Sequence, residues 1–376
     1  MATQVTNYQC PACTGPLHFV GSSGKLECDY CSCTYSVQEI EALYAKKEKA
    51  AEEAKNTADK KAAAAAASGD SGGWDVESAG SAWDGQEAAG LRAYSCPSCA
   101  AEIICDETTA ASSCLYCGNP TVVPGQLGGA LKPDYVIPFK LNKEEAVKAL
   151  KAYYKGKLFL PKTFSDGNHV EEIKGVYAPY WLFDGEANAD ITYKAQRVHS
   201  HRSGDYKVTV TEHYRVHRKG HIRFEKIPVD GSTKMPDAHM EAIEPFEYKD
   251  LTQFSTAYLP GFFADKYDID AKASAERADT RTRTSARDTL AATVKGYTSV
   301  AVERESIRLT KGEVKYALMP VWMLNTKWQD KMFTFAMNGQ TGKLVGDLPV
   351  SRLKYWAWFA GIAVPLMAII SFITLR

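Results

Sequence analysis

The stretch APYWLFDGEANADITYKA, from Ala178 to Ala195, decides the fold of the central part of this 376-residue chain. It is rich in aromatic residues and then alternates apolar and polar positions, a pattern that predicts a half-buried β-strand. The stretch LMPVWMLNTKWQDKMFTFA, from Leu318 to Ala336, echoes it. Each copy contains a Pro-x-Trp strand that leads into a hairpin partner. We therefore predict a weak internal repeat in this region.

Further strands and helices surround these two stretches. DYVIPF, YKVTVTEHYRVH and HIRFEKIPV have the β-branched and aromatic composition of strands. A helix is predicted with Asn142 as its N-cap and Gly156 past its end, and a longer helix from about Asp270 to Lys295. We therefore predict that residues 131–350 form a two-lobed α+β domain, which is within the size that a single core can support.

Histidines and carboxylates of this region do not form a metal motif. Six of the eight histidines lie between His199 and His239. His213 and His217 occupy odd-numbered positions, as the polar residues beside them do, whereas the apolar residues occupy even-numbered positions. This parity predicts the solvated face of a strand. The stretch DKYDID lacks the glycine and the spaced oxygen ligands of an EF-hand. Its carboxylates are interpreted as the start of the longer helix: Asp265, Asp268 and Asp270.

Eight of the ten cysteines form two copies of one motif, Tyr-x-Cys-Pro-x-Cys, then fourteen residues, then Cys-x-Tyr-Cys. Two Cys-x-x-Cys pairs joined by a short hairpin place four thiolates around one point, as in a zinc ribbon. A four-thiolate shell is structural because it leaves no position open for a water nucleophile. We predict two zinc ions, held by Cys10, Cys13, Cys28 and Cys31, and by Cys96, Cys99, Cys114 and Cys117.

Other roles for the cysteines are also considered. A redox Cys-Pro-x-Cys pair of the glutaredoxin type would open a helix inside a βαβ unit, whereas here each pair has a partner pair. Cys33 competes with Cys31 for the fourth position of the first site, and the repeat favours Cys31. Cys105 is interpreted as a small apolar residue beside Ile103 and Ile104.

Composition divides the chain into successive segments. The segment over 68–92 is rich in Gly and Ser and contains Trp74 and Trp83. These two tryptophans either dock on a neighbouring surface or form a short motif for a partner, and we favour docking. The predicted domains are zinc ribbon 1 over 1–36, an Ala/Glu/Lys-rich helical arm over 37–67, a flexible linker over 68–92, zinc ribbon 2 over 93–124, the α+β domain over 131–350 and a transmembrane helix over 355–375.

The tail from Tyr355 to Leu375 contains no charged residue and is long enough, as a helix, to cross a bilayer core. Arg352 and Lys354 precede it and predict the cytoplasmic side, and Pro365 is tolerated in membrane helices. The N-terminus has no secretory signal. We therefore expect a single-pass, tail-anchored protein of the cell membrane with its bulk in the reducing cytoplasm.

Charge and motifs exclude several classes of function. Lys plus Arg and Asp plus Glu both number 45, so no net charge favours nucleic acid. The second ribbon has no Lys or Arg between Cys96 and Cys117, which predicts protein docking rather than nucleic-acid binding. No phosphate loop, dinucleotide fingerprint or nucleophile elbow occurs. We therefore expect no enzyme and no small-molecule substrate.

Three segments carry a resemblance to a known family: YCGNPTVVPGQLGGALKPDYVIPFK, GVYAPYWLFDG and the end of the α+β domain with NGQTGKLVGDLPVS. Over about residues 93–376 the chain resembles a bacterial family of membrane-anchored, transcription-factor-IIB-type zinc-ribbon-containing proteins, sometimes labelled primosomal helicases. Members resemble the zinc-ribbon protein encoded beside phage-shock-protein-A-like and flotillin-like (SPFH) proteins. The resemblance implies a scaffold role in envelope stress and transfers the ribbon cysteines and the anchor, but no catalytic residue. The helicase label conflicts with the missing phosphate loop.

The predicted fold class is thus multi-domain, with two small zinc ribbons, a two-lobed α+β domain and a C-terminal transmembrane helix. The expected function is that of a zinc-binding, tail-anchored adaptor that recruits cytosolic stress-response or SPFH-type proteins to the membrane. The alternative is a membrane-tethered nucleic-acid-binding or transcription-related zinc-ribbon protein. The low positive charge of the ribbons discriminates between the two.

Overall fold

The structure is a computed structural model of the chain. It describes residues 10–12, 17–20, 25–28, 32–40, 42–43, 46, 73–84, 88, 90–96, 98–99, 101–106, 114–117, 123–125, 131–161, 164, 172–328 and 331–374. The strands are β1 (Leu17–Val20), β2 (Lys25–Cys28), β3 (Thr34–Tyr35), β4 (Leu91–Ser95), β5 (Glu102–Asp106), β6 (Val123–Gly125), β7 (Tyr135–Val136), β8 (Lys174–Ser203), β9 (Tyr206–Asp230), β10 (Thr252–Gln253), β11 (Phe263–Asp265), β12 (Ser299–Trp328), β13 (Lys331–Asn338) and β14 (Leu344–Gly346). The α-helices are α1 (Lys143–Tyr154), α2 (Asp237–Ala242), α3 (Ala271–Ala291) and α4 (Arg352–Thr374).

One large sheet organises the molecule. Eleven strands belong to it, in the order β10-β7-β12-β8-β11-β5-β4-β6, with β9 on β8 and β13 and β14 beyond β12. Its centre is the antiparallel pair β8 and β12, each 30 residues long. Strands β1, β2 and β3 form a separate three-stranded sheet. The predicted strands of the central region therefore lie side by side around one long pair.

The predicted internal repeat is confirmed. β8 leads into the hairpin partner β9, and β12 leads into the hairpin partner β13. The two Pro-x-Trp segments cross in the centre, where Pro179 lies opposite Leu318 and Pro320 lies opposite Tyr177. Gly231 N–H donates to Pro179 O, and Gly339 N–H donates to Pro320 O, both at 2.8 Å. The same backbone hydrogen bond thus ends the pairing of both hairpins.

The two repeat units exchange a short strand. The first unit contains β7, α1, β8 and β9, and the second contains β11, α3, β12 and β13. β7 pairs in parallel with β12, and β11 pairs in parallel with β8. Trp181 Nε1–H donates to Ile269 O at 2.8 Å, and Trp322 Nε1–H donates to Leu141 O at 3.0 Å. Each tryptophan therefore fixes the chain just before a helix of the opposite unit.

Both predicted helices of this region are confirmed. Asn142 caps α1 by accepting from Glu145 N, and the Glu145 carboxylate accepts in return from Asn142 N, which is a capping box. Asp270 caps α3 by accepting from Ala273 N at 2.7 Å. Asp265 does not lie at the helix start as predicted, because it belongs to β11 and is buried.

The predicted fold class is wrong. The structure is mostly β-sheet rather than an α+β domain beside separate ribbons and a membrane helix. The physical reason is the length of β8 and β12, because these two strands pair with each other and with β7, β9, β11 and β13, which ties the central region into one sheet. β5, from the predicted second ribbon, pairs with β11 and therefore extends the same sheet.

The predicted transmembrane helix is also wrong. Among the described residues, no helix is long and apolar enough to cross a membrane. The uncharged stretch after Tyr355 belongs to helix α4, which begins at Arg352 and includes Lys354. Lys354 Nζ donates to Leu160 O at 2.6 Å, and Ser351 N–H donates to Phe159 O at 2.8 Å, so the helix start is held by the segment after α1. The single-pass topology, the anchor and the placement in the cell membrane are corrected with it.

Candidate metal centre

The second cysteine repeat is built on two adjoining turns. Cys96 directly follows β4, and its N–H donates to Ala101 O at 2.9 Å, which closes the turn that leads into β5. Cys114 and Cys117 belong to a second turn, in which Tyr116 N–H donates to Cys114 Sγ at 3.5 Å. Each Cys-x-x-Cys pair is therefore presented by a backbone turn, as the motif predicts.

The four sulfur atoms of this repeat converge. All four Sγ atoms lie within 4.8 Å of one another. Cys96 Sγ lies 3.6 Å from Cys117 Sγ, and Cys99 Sγ lies 3.5 Å from Cys114 Sγ. A tetrahedral ion with metal–sulfur bonds of about 2.3 Å separates its ligands by about 3.8 Å. The group fits a four-coordinate metal ion and could hold one.

The electrostatics of the group favour a cation. Hydrogen bonding of the Cys114 thiol, as donor, to the sulfur atoms of Cys117, Cys96 and Cys99 raises the pKa of Cys114, whereas the hydrogen bond that Cys96 accepts from Cys114 lowers the pKa of Cys96. Four crowded sulfurs cannot all ionise by themselves, because like charges repel at this distance. A divalent cation removes that repulsion and releases the protons as it binds.

Residues far away in sequence hold the two turns in place. Lys234 Nζ donates to Cys99 O at 3.2 Å, and Asn325 Nδ2 donates to Leu115 O at 3.0 Å. Tyr116, between the last two cysteines, is buried and borders Asp265. The Tyr-Cys ending of the motif was visible in the sequence. Nothing in the sequence relates Lys234 or Asn325 to it, because they reach the centre only through the folded sheet.

Asp265 is a buried carboxyl group that borders this arrangement through Tyr116. Ser232 Oγ donates to its Oδ2 at 2.6 Å. Burial raises the pKa of Asp265 to about 7, even though the bonds from Ser232 and Tyr116 oppose this. Asp265 thus connects Tyr116 to the turn after β9.

The first cysteine repeat is described only in part. Cys10 and Cys28 are buried, and Cys10 Sγ donates to the Tyr35 hydroxyl at 3.7 Å. Cys13 and Cys31 lie outside the described residues, and so does the choice between Cys31 and Cys33. Within the ranges that are described, one group of four cysteines could hold a metal ion, not the predicted two.

Two further sequence interpretations are confirmed. Cys105 is fully buried in β5 and packs with Tyr94, away from the four-cysteine group. Burial raises the pKa of the Cys105 thiol to about 11, so this thiol stays protonated. His213 and His217 are exposed, while Val216 between them in the strand is buried. The histidines therefore lie on a solvated face.

Fold and site together define a class: a mostly β-sheet protein with a four-cysteine group that could hold a metal ion. Comparison with known proteins then gives the family. The chain is 39% identical over 242 residues to "Uncharacterized protein YdjG" of Bacillus subtilis (strain 168), a match that covers 64% of this chain and 71% of that protein. The chain belongs to the family of YdjG. No protein-family model matches the chain, and no solved structure matches it.

Proposed function

We propose that this protein is a zinc-stabilised adaptor that binds other proteins. The observation that carries the proposal is the convergence of Cys96, Cys99, Cys114 and Cys117 within 4.8 Å. Tetrahedral four-sulfur shells suit zinc. Four thiolates complete the shell of the ion and leave no position for a substrate or a water, so the centre stabilises structure and is not catalytic.

The surroundings of the centre favour a protein partner over nucleic acid. Lys266 Nζ pairs with Glu102 at 2.6 Å, and Lys234 Nζ lies 3.5 Å from Asp268. The cations near the centre are therefore balanced by carboxylates. Binding to phosphates needs clustered cations that displace counterions, so a nucleic-acid interface is not favoured here.

The metal is tested by elemental analysis of the full chain purified under reducing conditions. We expect two zinc ions per chain, one for each cysteine repeat. Cys117→Ser should remove one zinc, whereas the matched variant Cys105→Ala should keep both because that thiol is buried elsewhere in β5. Iron in place of zinc, or an unchanged zinc content in Cys117→Ser, would overturn the assignment.

The adaptor role is tested with the partners that the sequence resemblance implies. Purified phage-shock-protein-A-like and flotillin-like proteins are passed over the immobilised full chain and over the Cys117→Ser variant. We expect at least one of them to bind the zinc-loaded chain and to bind the variant more weakly. If neither binds the zinc-loaded chain, the adaptor role fails while the zinc assignment still stands.

A further inference from the structure

The strand β9 has an edge that the described strands leave unpaired. Along its length from Tyr206 to Asp230 it pairs with β8 alone. A two-residue turn joins Ser203 to Tyr206, so these two residues form a hydrogen-bonded pair. The pairing alternates from there without a shift as far as Phe224. The odd-numbered residues of β9 therefore direct their N–H and C=O groups away from β8.

Hydrogen bonds on the other side of β8 agree with this alternation. Val198 N–H donates to Thr298 Oγ1 at 2.9 Å, and Thr298 N–H donates to Gln196 O at 2.7 Å. Even-numbered residues of β8 thus bond away from β9. Since Gln196 lies opposite His213, the odd-numbered residues of β9 face the free edge.

The same odd-numbered residues form an open face of the sheet. Even-numbered Val216 is buried and packs with Ala286 and Leu290 of α3. Odd-numbered His217 and Lys219 are exposed. We call the open face the exposed surface formed by the odd-numbered residues of β9 from His213 to Arg223 and by their neighbours on β8 and β12.

Cations outnumber carboxylates on the open face. Its cations are Lys194, Arg215, Lys219, Arg223, Arg304 and Arg308, and its carboxylates are Glu186, Asp190 and Glu303. Glu303 pairs with Arg215 at 2.7 Å and lies 3.6 Å from Lys194. Arg223 lies 3.3 Å from Glu225 at the end of this face, and His217 lies 2.7 Å from Asp190. Lys219, Arg304 and Arg308 make no hydrogen bond or ion pair to the part of the chain that the structure describes, and so can meet an acidic partner.

We propose that the free edge of β9 binds an extended acidic segment of a partner protein by adding it as a further strand. This inference rests on the proposed protein-binding function. An added strand bonds through its backbone to the odd-numbered residues of β9, and every second side chain of that strand lies on the open face. Acidic residues at those alternate positions face Lys219, which has no ion pair to the described part of the chain, with Arg215 and Arg223 on either side of it along β9.

The charges also discriminate against other occupants. A second copy of this chain, paired edge to edge, would place cations opposite cations, which destabilises a sheet. Single-stranded nucleic acid binds by stacking its bases on aromatic rings. The odd-numbered positions from Lys207 to Arg223 contain Lys, Thr, His and Arg but none of the large aromatic residues Phe, Tyr and Trp. An extended acidic peptide can form backbone hydrogen bonds with the free edge of β9 and place its carboxylates beside the cations of the open face.

The test uses the full zinc-loaded chain and a fluorescein-labelled peptide of about ten residues that alternates Glu with Val, whose β-branched side chains favour a strand. Binding is followed by fluorescence anisotropy. We expect Lys219→Glu to weaken binding about tenfold, because the substitution replaces an attraction by a repulsion. Lys148→Glu, on the exposed side of α1, is the matched control and should have no effect.

A second peptide separates strand addition from simple charge attraction. The Glu/Val peptide N-methylated at every second residue keeps its charge but loses backbone donors, so it should bind much more weakly. Equal binding of both peptides, or no binding of either, would overturn the inference. Tighter binding of an oligonucleotide, or self-association of the chain that Lys219→Glu abolishes, would overturn it in favour of nucleic acid or a second copy.

The test also separates this inference from the adaptor role. Zinc content and circular dichroism should be unchanged in Lys219→Glu, because Lys219 is exposed and distant in sequence from every cysteine. If a partner protein binds wild type and Lys219→Glu equally well, the adaptor role stands and the β9 edge is not its site.

Discussion

At the scale of single residues, the two repeat units differ at the residue that ends each hairpin. Asn338 is fully buried, donates to Ile243 O at 3.1 Å and accepts from Gln340 N at 2.9 Å. Asp230 ends the equivalent hairpin and is also buried, with Arg277 Nη1 at 3.3 Å. One unit thus uses a neutral amide where the other uses a carboxyl group.

The carboxyl group of Asp230 makes stability depend on pH. Burial raises the pKa of Asp230 to about 6, although Arg277 acts in the opposite direction. The folded protein therefore holds this proton more tightly than the unfolded chain does, whose Asp pKa is about 3.9. The contribution of Asp230 to the free energy of unfolding is greatest below about pH 4, falls as the pH rises through 6, and is constant above about pH 7.

We predict that Asp230→Asn removes this dependence. As the pH rises from about 4 to 7, the free energy of unfolding of the variant should increase relative to that of wild type. The increase should be at most about 1.4 kcal/mol per pH unit. Urea unfolding of both proteins at several pH values in this range measures the difference. The metal centre is common to both, so its own pH dependence cancels. A difference that does not vary with pH would contradict the prediction.

At the scale of elements, the segment before β4 is held by a tryptophan. Trp74 is 3% exposed, its ring meets Phe183 edge to face at 5.1 Å, and its Nε1–H donates to Asp279 Oδ1 at 2.8 Å. Lys311 Nζ reaches the same carboxylate at 2.7 Å. The docked interpretation of Trp74 is therefore confirmed, and this residue fastens its segment to β8, α3 and β12.

We predict unequal effects for two substitutions of Trp74. Trp74→Ala should lower the free energy of unfolding by about 3–5 kcal/mol, because it leaves a cavity in the core. Trp74→Phe keeps an aromatic ring and should cost about 1–2 kcal/mol, mainly from the lost hydrogen bond, since Asp279 retains Lys311. Chemical denaturation of both variants checks this. Equal losses would show that the indole N–H, not the packing, dominates.

At the scale of the whole molecule, the four-cysteine group is part of the main core. Cys96, Cys114, Leu115 and Tyr116 share one buried cluster with strands β8 and β12. β5 continues from the first turn of the group into the large sheet through β11. Loss of a metal ion would therefore loosen the centre of the sheet and not only a peripheral hairpin.

We predict that metal removal lowers the unfolding temperature of the whole protein. Adding a chelator to wild type should lower it by several degrees or more, since about 1 kcal/mol corresponds to about 2–4 °C in a domain of about 150–250 residues. The same chelator should have a smaller effect on Cys117→Ser, which already lacks this site. Thermal scans followed by tryptophan fluorescence report on the core. Faster amide exchange confined to residues 91–125 would contradict a global role.

Local patterns predicted much of the fold. The helix after Asn142 was predicted because a capping box and an end glycine act within a few residues. The Pro-x-Trp repeat predicted paired hairpins, and the solvated histidines followed from the period of two in β9. The fold class was wrong because pairing between distant strands is not written in any local pattern. The prediction for the tail is wrong, because no helix in the described ranges is long and apolar enough to cross a membrane.

The helix caps and the turns that carry the cysteine pairs follow from the amino-acid sequence, because each depends on residues that are neighbours along the chain. Only the tertiary structure decided that β5 joins β11, that the two units exchange short strands, and that Lys234 and Asn325 support the four-cysteine group. It also decided which edge of β9 is left without a neighbouring strand among those described. Sheet pairing and burial join residues that are 87 to 210 positions apart in these examples, where no local propensity acts.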